Sequence, residues 1–174
     1  MLEIEAKARA KHEAVRSRLH ELGAEYRGED AQEDLYFAHP CRDFASTDEA
    51  LRLRRGGKSC SMTYKGPKID ALTKTRIEHE IILDDFDAAR AALKSLGFTE
   101  VGVVKKKRTY YSLEGFHVML DEVEGLGEFV EVEKKGGEYE PGELLDILKI
   151  LGIKNLIRTS YLELLLEEES SKNQ

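Results

Sequence analysis

The sequence predicts an α+β fold in which a sheet curls into a barrel around a charged interior, with helices packed on its outside. Three observations predict it. Strand-like stretches alternate apolar with charged residues, as in Met1-Leu2-Glu3-Ile4-Glu5-Ala6-Lys7, Ala50-Leu51-Arg52-Leu53-Arg54 and Phe129-Val130-Glu131-Val132-Glu133. Their charged faces carry both signs. Helical segments with leucine-rich stripes need an apolar surface, and the other face of those strands supplies it.

The chain has 174 residues, enough for one domain with a sizeable core. Residues 1–169 are read as that domain and 170–174 as a frayed tail. Charged residues make up 35%, above the ~25% of a typical soluble domain, so extra ionic structure is expected somewhere. A net charge of −7 argues against broad nucleic-acid or anionic-membrane binding and leaves room for a local basic pocket. No apolar run approaches the ~18 residues of a membrane span, and no signal-peptide pattern opens the chain. Cys41 and Cys60 form no CxxC and no zinc-spaced cluster, and are read as reduced thiols of a cytoplasmic protein.

The first strand, Met1 to Lys7, sends Glu3, Glu5 and Lys7 to one face. A helix follows from Arg9 to Leu22, with Val15, Leu19 and Leu22 as its stripe and Gly23 as its stop. Glu25-Tyr26-Arg27 is read as a short strand, followed by a polar link to Asp34-Leu35-Tyr36-Phe37, and His39 to Asp48 as a loop. Arg55-Gly56-Gly57-Lys58 turns the Ala50–Arg54 strand back into Ser59–Lys65, which faces Ser61, Thr63 and Lys65 one way. Gly66 to Thr75 is read as a mobile loop. Thr75 to Leu83 carries Arg76, Glu78 and Glu80 on one face. A second helix around Phe86, Ala89, Leu93 and Leu96 stops at Gly97. Val103 to Tyr111 carries Lys106, Arg108 and Tyr110, and Phe116 to Val123 carries His117, Met119 and Asp121. Pro141 opens a third helix that stops at Gly152. Arg158 to Glu168 is read as a final helix, with a strand as the alternative.

Three Glu-x-Glu strands (Glu3/Glu5, Glu78/Glu80, Glu131/Glu133) each precede a helix ending in Leu-Gly, at Gly23, Gly97 and Gly152. Two related halves would produce this, and so would a common strand–helix–glycine unit.

Collected on one face are seven acidic residues (Glu3, Glu5, Glu78, Glu80, Asp121, Glu131 and Glu133) and seven basic ones (Lys7, Arg52, Arg54, Lys65, Arg76, Lys106 and Arg108). Burying such groups costs several kcal/mol each unless they are paired, so the interior must hold water, ions or a ligand. Cations on several strands can grip a polyanion along its length. Carboxylates beside them suit Mg²⁺ or Mn²⁺, hard cations that bridge phosphates. With no Gly-x-x-x-x-Gly-Lys-Ser/Thr loop, side chains must hold the phosphates.

These residues resemble the CYTH, or triphosphate tunnel metalloenzyme, superfamily. Glu3-Ile4-Glu5-Ala6-Lys7 is similar to its Glu-x-Glu-x-Lys signature. Leu51-Arg52-Leu53-Arg54, Tyr64-Lys65-Gly66-Pro67, Thr75-Arg76-Ile77-Glu78-His79-Glu80, Lys106-x-Arg108-x-x-Tyr111 and Ser160-Tyr161 continue the likeness. Phe116 to Asp121 and Gly125 to Glu131 look like class IV adenylyl cyclases. The resemblance implies an antiparallel eight-stranded closed β-tunnel with Mg²⁺ or Mn²⁺ as cofactor and a small-molecule triphosphate as substrate. It implies metal ligands at Glu3, Glu5, Asp121, Glu131 and Glu133, and triphosphate contacts at Lys7, Arg52, Arg54, Lys65, Arg76, Lys106 and Arg108. Lys7 and Arg108 are the expected catalytic residues, while Glu78 and Glu80 bind metal or orient the cations. Only Met1-Leu2 precede Glu3, where those cyclases have several more residues, so any role of that extension is expected to be missing or replaced.

Two reactions suit such a site: conversion of ATP to cyclic AMP and pyrophosphate, and hydrolysis of inorganic, thiamine or nucleoside triphosphate. Non-catalytic triphosphate or polyphosphate binding is a third alternative, and a purely structural salt-bridged barrel a fourth. No nucleic-acid or membrane partner is expected, and a homodimer is left open. Lys105-Lys106-Lys107-Arg108 lies in a strand, so only alternate residues can face one partner. Tyr36 and Tyr161 are read as packing residues rather than base-stacking ones. His12, His20, His39, His79 and His117 share no ligand spacing.

Overall fold

A computed structural model describes residues 2–57, 59–69, 76–135 and 141–172. The strands are β1 (Leu2–Arg9), β2 (Glu25–Ala38), β3 (Ala50–Gly56), β4 (Ser59–Lys65), β5 (Arg76–Leu83), β6 (Thr99–Leu113), β7 (Phe116–Val123) and β8 (Gly127–Lys135). The helices are α1 (His12–Glu21), α2 (Phe86–Ser95), α3 (Pro141–Ile150) and α4 (Tyr161–Lys172). All eight strands pair antiparallel in one curled sheet, in the order β5-β4-β3-β2-β6-β7-β8-β1. β1 comes round to meet β5 at two positions, Leu2↔Ile77 and Glu3↔Arg76.

The alternation in the sequence sets which face turns inward. In β6, Lys105 and Lys107 are exposed while Lys106 and Arg108 are buried. The outward apolar residues of β1, β7 and β8 (Ala6, Ala8, Val118, Leu120, Val130 and Val132) form one core with Val15 and Leu19 of α1 and Leu144, Ile147 and Leu148 of α3. Burying leucines as fully as Leu19 and Leu144 stabilises the fold by about 1.5–3 kcal/mol each. A second outer core joins Leu35, Phe37, Leu51 and Leu53 to Phe86 and Leu93 of α2.

The three Leu-Gly stops are one structure repeated. Gly23, Gly97 and Gly152 each have positive φ (70°, 91° and 76°). In each, the glycine N–H and the next N–H close back on the last helical turn: Gly23 to His20 and Ala24 to Leu19, Gly97 to Lys94 and Phe98 to Leu93, Gly152 to Lys149 and Ile153 to Leu148. This is the Schellman arrangement, which needs a left-handed residue that glycine adopts without strain. The sheet order carries the repeat further. β2 pairs with its counterpart β6, while β1 lies beside β8 and β5 beside β4.

Several boundaries differ from the sequence reading. The largest difference is β2, one 14-residue strand where a short strand and a polar link were expected. It pairs along its length with the 15-residue β6, and the irregularity at Gly28 is absorbed as a register shift between Tyr26 and Gly28. Its polar residues are there because they face a polar interior. Helix α4 continues to Lys172, past the Ser170 where the tail was expected to begin. It also does not pack outside like the others. Tyr161 joins the inward-facing Val104, Val123 and Phe129, so α4 covers one end of the curled sheet. Most of the Gly66–Thr75 loop lies outside the described residues. No described helix is long and apolar enough to cross a membrane. Both cysteines are free thiols, Cys41 exposed and Cys60 buried.

Candidate active site in the curled sheet

The sheet encloses a cavity of about 1520 Å³, and all seven expected cations line it: Lys7, Arg52, Arg54, Lys65, Arg76, Lys106 and Arg108. They come from β1, β3, β4, β5 and β6, so the positive charge is spread around the wall. Glu5, Glu78, Glu80, Glu131 and Glu133 line it as well. Glu3 stands next in the alternation of β1, and its side chain lies outside the described residues.

Strand register explains how so many charges share one interior. Opposed positions on neighbouring strands are Lys7↔Glu131, Arg108↔Asp121, Arg54↔Asp34 and Lys65↔Glu78. Each joins opposite signs at the short spacing of directly opposed residues. Glu5↔Glu133 opposes two carboxylates.

The centre of the network is Arg108. Its Nε donates to Asp121 Oδ1 at 2.6 Å and its Nη2 to Asp121 Oδ2 at 2.5 Å. Nη2 also bonds Glu131. Tyr161 Oη donates to Asp121 Oδ2 at 2.9 Å, and the Lys7 ammonium lies 3.9 Å from the Tyr161 ring centre. Tyr161 reaches this position because Ala8 and Leu156 form a β-bridge and Ile157 N–H donates to the Lys7 carbonyl. Burial, with Glu131 and Asp121 nearby, pushes the Tyr161 hydroxyl well above its usual range, so it stays a donor. The packing role expected of Tyr161 is there, against Phe129, and a polar role accompanies it.

A second network surrounds Asp34. Its carboxylate accepts from Arg54 Nε (2.5 Å), Arg54 Nη2 (2.7 Å) and Lys106 Nζ (3.1 Å), with Arg52 Nη1 at 3.8 Å. Burial alone would raise its pKa, but Lys106, Arg52 and Arg54 outweigh burial and hold it well below the usual carboxylate range. Asp34 is 0% exposed. Asp34→Asn is expected to lower unfolding free energy by about 3–5 kcal/mol, because the buried Arg52 and Lys106 and the half-buried Arg54 lose their counter-charge. Urea denaturation measures this. Because the folded pKa lies below the unfolded one, the Asp34 contribution is intact above the unfolded value and is lost as pH falls toward the folded one.

Lys106 is shifted the other way. Burial pushes its ammonium down to about 8, with Arg108 and Arg54 adding to the push and Asp34 opposing it. Its folded pKa is below the unfolded one, so this group's contribution to stability improves as pH rises from about 8 toward 10.5. Anion binding should respond oppositely. Affinity for inorganic triphosphate, used as a probe polyanion, is expected to fall about tenfold between pH 7 and pH 9 as Lys106 discharges. Calorimetry in buffers of different ionisation enthalpy should show proton uptake on binding near pH 8, and pH-independent affinity would contradict this.

Toward one mouth, Lys65 pairs with Glu78, and Arg76 turns to Asp48 (Nη2 to Oδ1, 3.6 Å), which Lys68 also contacts at 2.7 Å. Glu80 is half-exposed and accepts from Thr63 Oγ1 at 3.1 Å, while Arg52 Nη2 donates to the same hydroxyl at 3.0 Å. Glu78 thus lies against Lys65, and Glu80 Oε2 lies 3.9 Å from Arg52 Nη2. His117 is exposed.

The carboxylates test whether a divalent cation fits. Their donors are all oxygen, which suits Mg²⁺ or Mn²⁺. Glu5, Glu131 and Glu133 lie on two paired strands and line the cavity. Among the described residues, no three Asp, Glu, His or Cys converge on one point. Asp121 is the carboxylate bonded to Arg108 and Tyr161, through Oδ1 once and Oδ2 twice. Glu5 and Glu133 are directly opposed on β1 and β8, and Glu131 stands two positions along β8 and bonds Arg108.

Asp34, Gln32 and Tyr110 were not singled out from the sequence as site residues. The usable signal was Asp30-x-Gln32-x-Asp34-x-Tyr36, the same two-residue alternation found elsewhere, within the stretch read as a link.

Comparison with known proteins fits this geometry. Residues 1–162 match the CYTH domain family, and the chain belongs to it. It is 42% identical over 173 residues to MJ0240 of Methanocaldococcus jannaschii, a protein provisionally named an adenylate cyclase; the match covers 94% of this chain and 98% of that one. It is 33% identical over 114 residues to adenylate cyclase CyaB of Aeromonas hydrophila, covering 64% of this chain and 56% of that one. The solved structure of PH1819 from Pyrococcus horikoshii OT3 superposes with a TM-score of 0.88 at 42% identity, covering 95% of this chain and 99% of that one.

Proposed function

We propose that the chain is a divalent-metal-dependent enzyme acting on a triphosphate, and that its reaction converts ATP to cyclic AMP and pyrophosphate. The observation that carries the triphosphate is the ring of seven cations around one cavity, with Arg52 Nε buried and without a partner among the described residues. A buried N–H donor left unmade is costly, and a phosphate oxygen would satisfy it. The names of MJ0240 and CyaB favour the cyclase reaction. The closed tunnel is part of the same proposal, with the short β1–β5 contact as its seam.

In this scheme Arg52, Arg54 and Lys106 hold the phosphate chain, and Lys65 and Arg76 guide it in from the mouth. Lys7 and Arg108 neutralise charge that develops during transfer. Glu5 and Glu133 would hold Mg²⁺ or Mn²⁺, with Glu131 beside them and Glu3 extending the set. A bound divalent ion supplies charge neutralisation on phosphate oxygens and lowers the pKa of the attacking hydroxyl. The ribose 3′-oxygen bonds to the α-phosphorus as its O–H bond breaks, the bond from that phosphorus to the bridging oxygen breaks, pyrophosphate leaves, and the hydroxyl proton passes to the departing pyrophosphate or to solvent. The chain's contribution is position and fixed charge, not a covalent intermediate.

Incubation with ATP, inorganic triphosphate and thiamine triphosphate, each with Mg²⁺ or Mn²⁺, tests the proposal. Cyclic AMP and pyrophosphate are the expected products. Orthophosphate instead would make the chain a triphosphatase, and binding without turnover would make it a binding protein.

A further inference from the structure

The interior contains one buried polar atom that phosphate cannot satisfy. Gln32 is 6% exposed and lines the cavity. Its Nε2 donates to Tyr110 Oη at 2.6 Å and reaches Asp30 Oδ2 at 3.5 Å. The carboxylate only accepts, so the end facing it is the amide nitrogen. That leaves Gln32 Oε1 buried without a partner among the described residues. Gly56, opposite Gln32 on β3, has no side chain, which lets Asp30 and Gln32 pack against its backbone. A Cβ at Gly56 would lie 2.7 Å from Asp30 Oδ2 and 3.1 Å from Gln32 Cγ.

We propose that Gln32 is a specificity-determining residue that selects a triphosphate carrying a nucleoside over inorganic triphosphate. The inference rests on the triphosphate reading above and deepens it. Phosphates at neutral pH present acceptor oxygens. They satisfy the buried donor Arg52 Nε and leave the buried acceptor Gln32 Oε1 unmet. An amide oxygen needs an N–H or O–H donor, which the exocyclic amino group of a base or a ribose hydroxyl provides. The two unpartnered atoms belong to different stations along the wall. Arg52 opposes Tyr36 and Gly56 opposes Gln32, four residues apart along β3, or roughly 13 Å. No single phosphate group meets both, whereas a ligand with phosphate at one end and a nucleoside at the other does.

The test is calorimetric binding, with Mg²⁺, of ATP, purine riboside triphosphate (which lacks the exocyclic amino group) and inorganic triphosphate to the wild type and to Gln32→Met. The substitution is expected to weaken ATP roughly tenfold and leave inorganic triphosphate unchanged. That unchanged binding also shows the variant to be folded. Gln32→Asn, which withdraws the amide by one methylene, is expected to show the same selective loss if the methionine variant does not fold. Purine riboside triphosphate identifies the donor. It is insensitive to the substitution if the base amino group is used, and as sensitive as ATP if a hydroxyl is used. Unchanged ATP affinity, or equal loss for ATP and inorganic triphosphate, overturns the inference. A wild type that binds none of the three overturns the triphosphate reading, and this one with it.

Discussion

Arg108→Met is expected to reduce turnover by about 100-fold or more and unfolding free energy by about 3–5 kcal/mol. Both effects follow from one fact. Arg108 holds Asp121 at two points and Glu131 at a third, and these carboxylates are 0% and 5% exposed. Removing the guanidinium leaves two buried negative charges facing each other, a far greater cost than losing an exposed ion pair. Steady-state rates and urea denaturation measure the two effects. If divalent cations can enter this region, Mn²⁺ should stabilise the variant more than the wild type, because vacated carboxylates bind it. A variant as stable and as active as the wild type would show that Arg108 neither anchors the interior nor acts in it.

Glu5→Gln separates function from stability in the opposite way. Glu5 is half-buried and opposes Glu133, a like-charged neighbour. Neutralising one of two opposed carboxylates relieves repulsion, so stability should change by less than about 1 kcal/mol. Turnover should fall by about 100-fold or more, since the proposed cation loses a charged ligand. The distinguishing readout is metal dependence: the Mn²⁺ concentration for half-maximal rate should rise. An active variant with an unchanged metal requirement would remove Glu5 from the cation site.

Much of this site was legible because strand geometry is periodic. Alternation alone placed Lys106 and Arg108 inward and Lys105 and Lys107 outward, and β4 and β7 have the predicted bounds. It failed in β2 because the usual expectation, that polar runs are links, assumes an apolar interior. Here Gln32 and Asp34 are polar because they face other polar groups, and only the pairing with β6 makes that visible. The commitment of Asp121 to Arg108 was also out of reach. Sequence places a carboxylate and a guanidinium on one face, whereas register and burial decide that they lie opposite and hydrogen-bond each other. Tyr161 lies 40 residues beyond Asp121, and only the Leu156–Ile157 contact with β1 brings it in.

The central claim is that the charged interior holds a metal-bound triphosphate. A crystal structure with Mn²⁺ and a non-reactive ATP analogue tests it most directly. The account predicts an anomalous manganese peak within ligand distance of Glu5 and Glu133, with phosphates against Arg52, Arg54 and Lys106. A cavity in which Arg108, Asp121 and the other ion pairs persist while metal and nucleotide bind only on the outer surface would contradict it.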